Sequence, residues 1–141
     1  ISGIEVECAV LGNENPKPSV IGAIMPTEKF YSYDAKYISS SGAKLIIPAD
    51  IKPEISTYIQ ETAIKAFQCV CAEGLSRVDF FLKADDTIVL NEINTLPGFT
   101  SISMYPKLWE ATGLAYEDLL DELILLGINR HKTISKLKMV W

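Results

Sequence analysis

Two alternating segments joined by a short polar turn constrain this fold more than any other feature of the sequence. Residues 77–82 read Arg-Val-Asp-Phe-Phe-Leu, and residues 88–94 read Ile-Val-Leu-Asn-Glu-Ile-Asn. Alternation with a period of two predicts β-strands, and the polar pair Asp85-Asp86 between them predicts a hairpin. The fold must therefore contain an antiparallel sheet that accepts charged side chains on one of its faces.

A two-residue turn fixes the expected register of this hairpin. It places Asp79 opposite Glu92 and Arg77 opposite Asn94, and Phe81 lies on the same face. The residues of the second segment predicted to share that face are Ile88, Leu90, Glu92 and Asn94. A shift of the register by one residue would move one strand's side chains to the other face.

Carboxylates that face each other across a sheet repel, so Asp79 and Glu92 require a compensating charge. A bridging divalent cation would provide it, and a ligand set made only of oxygens favours Mg²⁺ or Mn²⁺ over zinc. The alternative is a solvated sheet face on which Arg77 neutralises Asp79. Both interpretations are open from these residues alone.

Composition excludes several classes of protein. A net charge of -5 argues against a nucleic-acid backbone as the partner, and 48% hydrophobic with 22% charged residues indicates a globular domain. The longest apolar run, near residues 119–128, is interrupted by Asp121 and Glu122 and predicts no membrane span. The only histidine, His131, excludes histidine triads and multi-histidine metal sites. Three cysteines without a Cys-x-x-Cys pair predict buried, reduced thiols and a cytoplasmic location.

The remaining patterns predict one α+β domain with a mainly antiparallel sheet flanked by helices. Further strands are expected over 5–11, 19–24 and 44–48, and a long loop over 26–42. Helices are expected from Pro53 to Gly74, over 106–112 and over 116–126. We predict a domain over 1–128 and a basic tail over 129–141. The start at Ile1 predicts a processed or incomplete polypeptide.

Three segments together resemble a known family. They are Arg77-Val78-Asp79, the run Asn-Glu-Ile-Asn-Thr-Leu-Pro-Gly-Phe-Thr-Ser over 91–101, and Tyr-Asp-Ala-Lys-Tyr over 33–37. This combination resembles the C-terminal part of bacterial D-alanine–D-alanine ligases, which belong to the ATP-grasp superfamily. The resemblance extends from Ile1 to about Leu126. It implies an ATP-grasp C-terminal subdomain.

The resemblance also implies a role for each matching residue. Two Mg²⁺ or Mn²⁺ ions would be held by Asp79, Glu92 and Asn94. Arg77 would stabilise phosphate and tetrahedral-intermediate oxygens, and Gly98 would offer its backbone N–H to the oxyanion. Ser103 would bind the carboxylate of the second D-alanine, and Glu5 would bind the ribose of ATP. The adenine would be held by Ile1, Phe30 and Phe81. Lys36 and Tyr37 would lie in a loop that closes over the substrates.

The implied activity is ATP-dependent joining of two D-alanines through a D-alanyl phosphate, for peptidoglycan synthesis in the cytoplasm and hence for cell shape. The implied partners are ATP and D-alanine, with neither nucleic acid nor membrane, and the intact enzyme is expected to be a homodimer. Because the family's other domains do not match this sequence, the chain by itself is expected to be inactive.

Alternatives to this activity stay open. Tyr37 after Lys36 favours an amine nucleophile, which leaves D-serine possible beside D-alanine. A different ATP-grasp ligase would share Asp79, Glu92 and Asn94 but should lack the 100–103 run. Ser103 is also placed where an ordinary helix N-cap would stand. A non-catalytic metal-binding or nucleotide-binding domain would have no need of Arg77 beside its cation.

Overall fold

A five-stranded antiparallel sheet, in the order β3-β2-β1-β4-β5, forms the centre of the protein. The computed structural model describes residues 1–26, 43–100 and 102–137. The strands are β1 (Ile4–Gly12), β2 (Lys17–Pro26), β3 (Ala43–Ile46), β4 (Gly74–Leu82) and β5 (Ile88–Asn94). The helices are α1 (Pro53–Cys69), α2 (Met104–Thr112) and α3 (Tyr116–Ser135). The predicted α+β class with an antiparallel sheet flanked by helices is confirmed.

The two faces of the sheet pack against different helices. On one face α1 contributes Ile59, Ala63 and Phe67 to a core with the alternate, inward residues of β1, β2 and β4. On the other face α2 and α3 cover the part of the sheet around Ala9 and Leu11. The rest of this second face carries the charged residues of β1 and β4. The helices therefore leave that end of the face for a polar site.

Close packing of α2 on the second face depends on a glycine in β2. A Cβ built on Gly22 would lie 2.9 Å from Leu108 Cδ2 and 3.0 Å from Met104 Sδ. Gly22 pairs directly with Glu7 of β1. The absence of a side chain at Gly22 thus allows α2 to begin beside the polar site.

A bulge in β2 is held by two polar side chains. The register shifts between Cys8 and Val10, and the Ala9 N–H donates to Ser19 Oγ over 3.0 Å. The Ser19 carbonyl accepts from Gln60 Nε2 of α1 at 2.8 Å. The extra residue of β2 therefore leaves neither the Ala9 N–H nor the Ser19 carbonyl without a partner.

Replacing Ser19 by alanine should lower the free energy of unfolding by about 1–3 kcal/mol, because the buried Ala9 N–H would lose its acceptor. Urea denaturation measures the change. Ser56→Ala, a change in the first turn of α1 at a half-buried side chain, is the matched control and should have a smaller effect. Equal destabilisation by the two variants would contradict the assigned role of Ser19.

The hairpin confirms the predicted pairs at its polar end and departs from the prediction at its turn. Arg77 pairs with Asn94 and Asp79 with Glu92, but Phe80 pairs with Leu90. The loop holds three residues rather than two, with the Asp86 N–H bonded to the Lys83 carbonyl and Asp86 in the left-handed region. A bulge at residue 91 of β5 absorbs the extra residue.

This bulge makes one predicted set of neighbours wrong. Ile88 pairs with Leu82, and Leu90 pairs with Phe80, so both lie on the face of the α1 core rather than with Glu92 and Asn94. Ile88 packs against that core. The alternation in the sequence could not reveal the shift, because a bulge reverses the phase of a strand without changing its composition.

Three smaller predictions are also wrong. α1 ends at Cys69 and not at Gly74, which instead begins β4 with a φ of 81°. α3 continues to Ser135 rather than ending at residue 126, so it crosses the predicted domain boundary at 128. Cys8 is buried as expected, but Cys69 and Cys71 are exposed. The boundary itself stays a prediction.

None of the helices within the described ranges combines the length and the apolar character that crossing a membrane requires.

Candidate active site

Arg77 and Asp79 form a bidentate ion pair on β4. Arg77 Nε donates to Asp79 Oδ1 at 2.8 Å, and Arg77 Nη2 donates to Asp79 Oδ2 at 2.7 Å. Their i,i+2 spacing places both side chains on one face, and Asp79 is only 2% exposed. The hydrogen bond to Asp79, with the charge of Glu7 behind it, raises the pKa of Arg77 against the effect of burial. The guanidinium is therefore a fixed positive charge in a largely buried polar site.

Glu7 of β1 completes this site and was not predicted from the sequence. It pairs directly with Asp79, is 3% exposed, and places Oε2 3.0 Å from Arg77 Nε. Glu7 Oε2 accepts no hydrogen bond, because the Nε–H of Arg77 points to Asp79. The missed signal was the alternation of β1, which puts Glu7 on the same face as Glu5. Recognising it required knowing that β1 pairs with β4.

The carboxylates of this face are close enough to share a cation. Oxygens of Glu5, Glu7 and Asp79 all lie within 4.8 Å of one another. Glu92, which is exposed, stands opposite Asp79, and Asn94 stands opposite Arg77. The possible ligand atoms are all oxygens, which suits Mg²⁺ or Mn²⁺. Glu7 Oε2 has no hydrogen-bond partner, so one guanidinium does not satisfy all the carboxylates of this face. These residues fit a divalent cation.

Burial raises the pKa of Glu7 to about 8; the charge of Asp79 adds to the rise, and the Arg77 guanidinium opposes it. In the folded, metal-free protein Glu7 should keep its proton up to that pH, whereas the unfolded chain releases it near 4.5. The unfolded state then binds fewer protons across this window. Stability should therefore fall as pH rises from about 4.5 to 8.

We expect Glu7→Gln to remove this pH-dependent contribution to stability. Its free energy of unfolding, relative to the wild type in the presence of a chelator, should rise with pH by up to about 1.4 kcal/mol per pH unit within that window. Urea titrations at several pH values measure the difference. Glu14→Gln, in the exposed β1–β2 turn, should run parallel to the wild type. A Glu7→Gln difference that is constant with pH would contradict the assignment.

A glycine turn follows β5 and is fixed by two side chains. The Leu96 N–H donates to Asn94 Oδ1 over 3.2 Å, and the Thr100 N–H donates to Ser103 Oγ over 3.0 Å. The hydroxyls of Thr100 and Ser103 lie 2.8 Å apart. A Cβ on Gly98 would approach Ser103 Oγ to 3.0 Å, so glycine lets the turn pass over the serine.

Ser103 occupies the N-cap position of α2, as the alternative interpretation required, but its side chain makes no capping hydrogen bond. Its hydroxyl is turned toward Thr100 instead.

An aromatic group lies beneath the turn: Phe99 packs against Tyr105 and Tyr116, with ring centroids 5.7 and 5.6 Å away. Tyr116 also donates to the Phe99 carbonyl at 3.3 Å. The turn is thus attached to both α2 and α3.

The other predicted residues divide into three groups. Glu5 and Phe81 are paired on β1 and β4, next to the pair formed by Glu7 and Asp79. Ile1 is 73% exposed at the beginning of the chain, before β1. Phe30, Lys36 and Tyr37 lie outside the described residues, so their roles stay predictions.

Comparison with known proteins agrees with this geometry. The family described as D-ala D-ala ligase C-terminus matches residues 1–125. A D-alanine–D-alanine ligase of Shouchella clausii is 56% identical over 138 residues, which is 98% of this chain and 38% of that protein. D-alanine–D-alanine ligase A of Escherichia coli K12 is 54% identical over 138 residues, again 98% of this chain and 38% of that protein. The chain therefore spans about two fifths of the length of these relatives.

Solved structures are similar to this one over most of the chain. The D-alanine–D-alanine ligase from Coxiella burnetii has a TM-score of 0.83 at 45% identity, covering 96% of this chain and 35% of that one. The VanG D-Ala:D-Ser ligase from Enterococcus faecalis has a TM-score of 0.78 at 40% identity, covering 89% of this chain and 36% of that one. The D-alanine–D-alanine ligase from Bacillus anthracis complexed with ATP has a TM-score of 0.77 at 27% identity, covering 94% of this chain and 42% of that one.

Proposed function

The chain belongs to the family of D-alanine–D-alanine ligase C-terminal domains, and from this premise we propose that it forms part of the active site of an ATP-dependent ligase. The reaction joins two D-alanines through a D-alanyl phosphate. The observation that carries the proposal is the buried pair of Arg77 and Asp79 facing Glu92 and Asn94, next to a glycine turn that starts at Asn94 itself.

Asp79, Glu92 and Asn94 are the proposed ligands of two Mg²⁺ or Mn²⁺ ions. When bound, such ions neutralise the charge of the ATP phosphates and of the transferring phosphoryl group. Asp79 and Glu92 contribute opposed carboxylates, and Asn94 has a carbonyl lone pair beyond the one that accepts from Leu96.

Arg77 supplies the positive charge of the chain itself. Its side chain is 18% exposed, and so it can reach a bound phosphate from its place beside Asp79. Its planar fork suits phosphate oxygens. We assign it to the oxygens of the transferred phosphate and of the tetrahedral intermediate that forms when the amine attacks.

The glycine turn is the proposed site of the second D-alanine. Gly98 presents its backbone N–H to the developing oxyanion. Either Thr100 or Ser103 can be the donor in their hydroxyl pair, so Ser103 can turn its proton to the substrate carboxylate. Tyr116 and Phe99 hold the turn against the helices and limit its movement.

Glu5, Ile1, Phe30 and Phe81 are the proposed nucleotide contacts, with Glu5 accepting from the ribose hydroxyls. Phe81 pairs with Glu5, which is consistent with an adenosine lying across that end of β1 and β4. Lys36 and Tyr37 are proposed to close over the γ-phosphate and exclude water from the acyl phosphate.

The product makes this a peptidoglycan-precursor enzyme, with a role in cell wall synthesis and cell shape. We propose a cytoplasmic location, where ATP is available, and a homodimeric intact enzyme. D-serine is the alternative second substrate, supported by the likeness to the Enterococcus faecalis D-Ala:D-Ser ligase. Comparing D-alanine, D-serine and D-lactate as second substrates distinguishes these cases.

Release of phosphate from ATP, with Mg²⁺ and D-alanine present, tests the proposal. The intact enzyme that carries these residues should release phosphate only when D-alanine is added. The isolated 141-residue chain should release none above background, because it spans 38% of the Shouchella clausii relative. Phosphate release by the intact enzyme that does not respond to D-alanine would refute the ligase assignment, and turnover by the isolated chain would refute its inactivity.

A further inference from the structure

The buried oxygen of Glu7 that accepts no hydrogen bond has a specific relation to Arg77. Both oxygens of Asp79 accept from the guanidinium, over 2.8 and 2.7 Å. Glu7 Oε2 lies 3.0 Å from Arg77 Nε, close enough for a hydrogen bond but outside the direction of the N–H. Arg77 thus has two carboxylate acceptors within reach and uses one of them.

A divalent cation on Asp79 competes with this bidentate pair. The cation requires a carboxylate lone pair of Asp79, and it repels the guanidinium that occupies the same oxygens. This repulsion favours a second acceptor for the N–H groups of Arg77, because a weakly paired donor in this buried site is costly. Among the described residues, Glu7 is the one carboxyl group besides Asp79 that already lies beside Arg77 Nε.

We propose that Glu7 is a positioning residue that accepts Arg77 when Asp79 turns to a divalent cation. This inference rests on the proposed cation site at Asp79. A small rotation of the guanidinium transfers the Nε–H from Asp79 Oδ1 to Glu7 Oε2, so that Arg77 stays at the phosphate side of the site without leaving a charge unpaired. Glu7 thereby lowers the cost of cation binding without being a ligand itself.

The position of Glu7 in the fold agrees with this role. It lies on β1 and pairs directly with Asp79, whereas Arg77 pairs with Ala9, two residues further along β1. Its neighbour on the other strand is Gly22, and the side chains around Gly22 are the apolar Leu108 and Met104. These apolar groups offer Glu7 no competing hydrogen-bond donor. Its free oxygen, Oε2, is therefore available to Arg77.

The test is Mn²⁺ affinity at a pH above about 8, where Glu7 is a carboxylate in the metal-free protein as well. It is measured by electron paramagnetic resonance of free Mn²⁺ with the intact enzyme and ADP. Glu7→Gln should weaken Mn²⁺ binding roughly five- to tenfold, because a neutral amide is a poorer acceptor for a guanidinium than a carboxylate. In the Arg77→Ala background the same change should weaken binding less than twofold, because the group that Glu7 accepts is gone.

Glu5→Gln is the matched comparison, since it removes a carboxylate from the same face without Arg77 as its partner. Its effect on Mn²⁺ affinity should be equal with and without Arg77. Thermal unfolding checks that each variant folds, and Arg77→Met replaces Arg77→Ala if the latter does not. Steady-state kinetics should show that Glu7→Gln raises the Mg²⁺ concentration for half-maximal rate more than it lowers kcat.

An equal loss of Mn²⁺ affinity from Glu7→Gln in both backgrounds would overturn the inference, since Glu7 would then act directly on the cation. The underlying cation site is tested separately by Asp79→Asn. Unchanged Mn²⁺ binding in that variant would refute the site at Asp79 itself, whereas lost binding together with coupling between Glu7 and Arg77 supports both statements.

Discussion

Arg77→Ala in the intact enzyme is expected to lower kcat roughly 10³-fold or more while Mn²⁺ binding is retained. The expected size follows from arginines that stabilise transferring phosphoryl groups, whose removal costs about 10³–10⁵ in kcat. Arg77 is held by two hydrogen bonds to Asp79 and has no counterpart among the described residues of this face. Water admitted in place of the guanidinium cannot supply its fixed charge.

Arg130→Ala is the control for this prediction. Arg130 lies on α3 and pairs with the half-exposed Glu73, at the end of the sheet where β4 begins. Its loss should leave kcat within about twofold, as for most exposed ion pairs. An Arg77→Ala enzyme with normal kcat would favour a non-catalytic cation site. An enzyme that loses kcat only because it loses Mn²⁺ would assign Arg77 to metal binding instead.

The largest expected change in stability is caused by Phe80→Ala, which should lower the free energy of unfolding by about 3–5 kcal/mol. Phe80 is fully buried in the core between the sheet and α1. It also lies next to Asp79 in β4, so its packing fixes the strand that carries Arg77 and Asp79. Chemical denaturation of the 141-residue chain measures the loss.

Leu90→Ala provides a matched control across the strands. Leu90 pairs directly with Phe80 but is 41% exposed, and its removal should cost less than about 1.5 kcal/mol. If the register had no bulge, Leu90 would instead share the face of Glu92. A large loss of stability from Leu90→Ala with a small one from Phe80→Ala would contradict the register and the arrangement of the core.

The polar end of the hairpin could be predicted from the sequence for a physical reason. Alternation fixes which side chains share a face, and the charges on Arg77, Asp79 and Glu92 fix which face requires compensation. The pairs of Arg77 with Asn94 and of Asp79 with Glu92 are confirmed. They held because the bulge at residue 91 cancels the extra residue of the loop before the polar pairs begin.

Other parts of the site depend on contacts between distant segments and could not be predicted. Glu7 enters the site because β1 lies beside β4, a pairing between residues about 70 positions apart that alternation alone does not specify. The Ser103 hydroxyl turns toward Thr100 rather than capping α2, which depends on the path of the glycine turn. The end of α1 at Cys69 likewise reflects a turn with Cys71 in the left-handed region.

Transfer of the γ-phosphoryl group of ATP to the carboxylate of the first D-alanine leaves an isotope signature in the released phosphate. D-alanine labelled with ¹⁸O in both carboxylate oxygens is supplied to the intact enzyme with unlabelled ATP and Mg²⁺, and the released phosphate is analysed by mass spectrometry. Each phosphate should carry one ¹⁸O atom, because the amine expels the bridging oxygen with the phosphate. Phosphate without ¹⁸O, formed together with the dipeptide, would contradict this transfer.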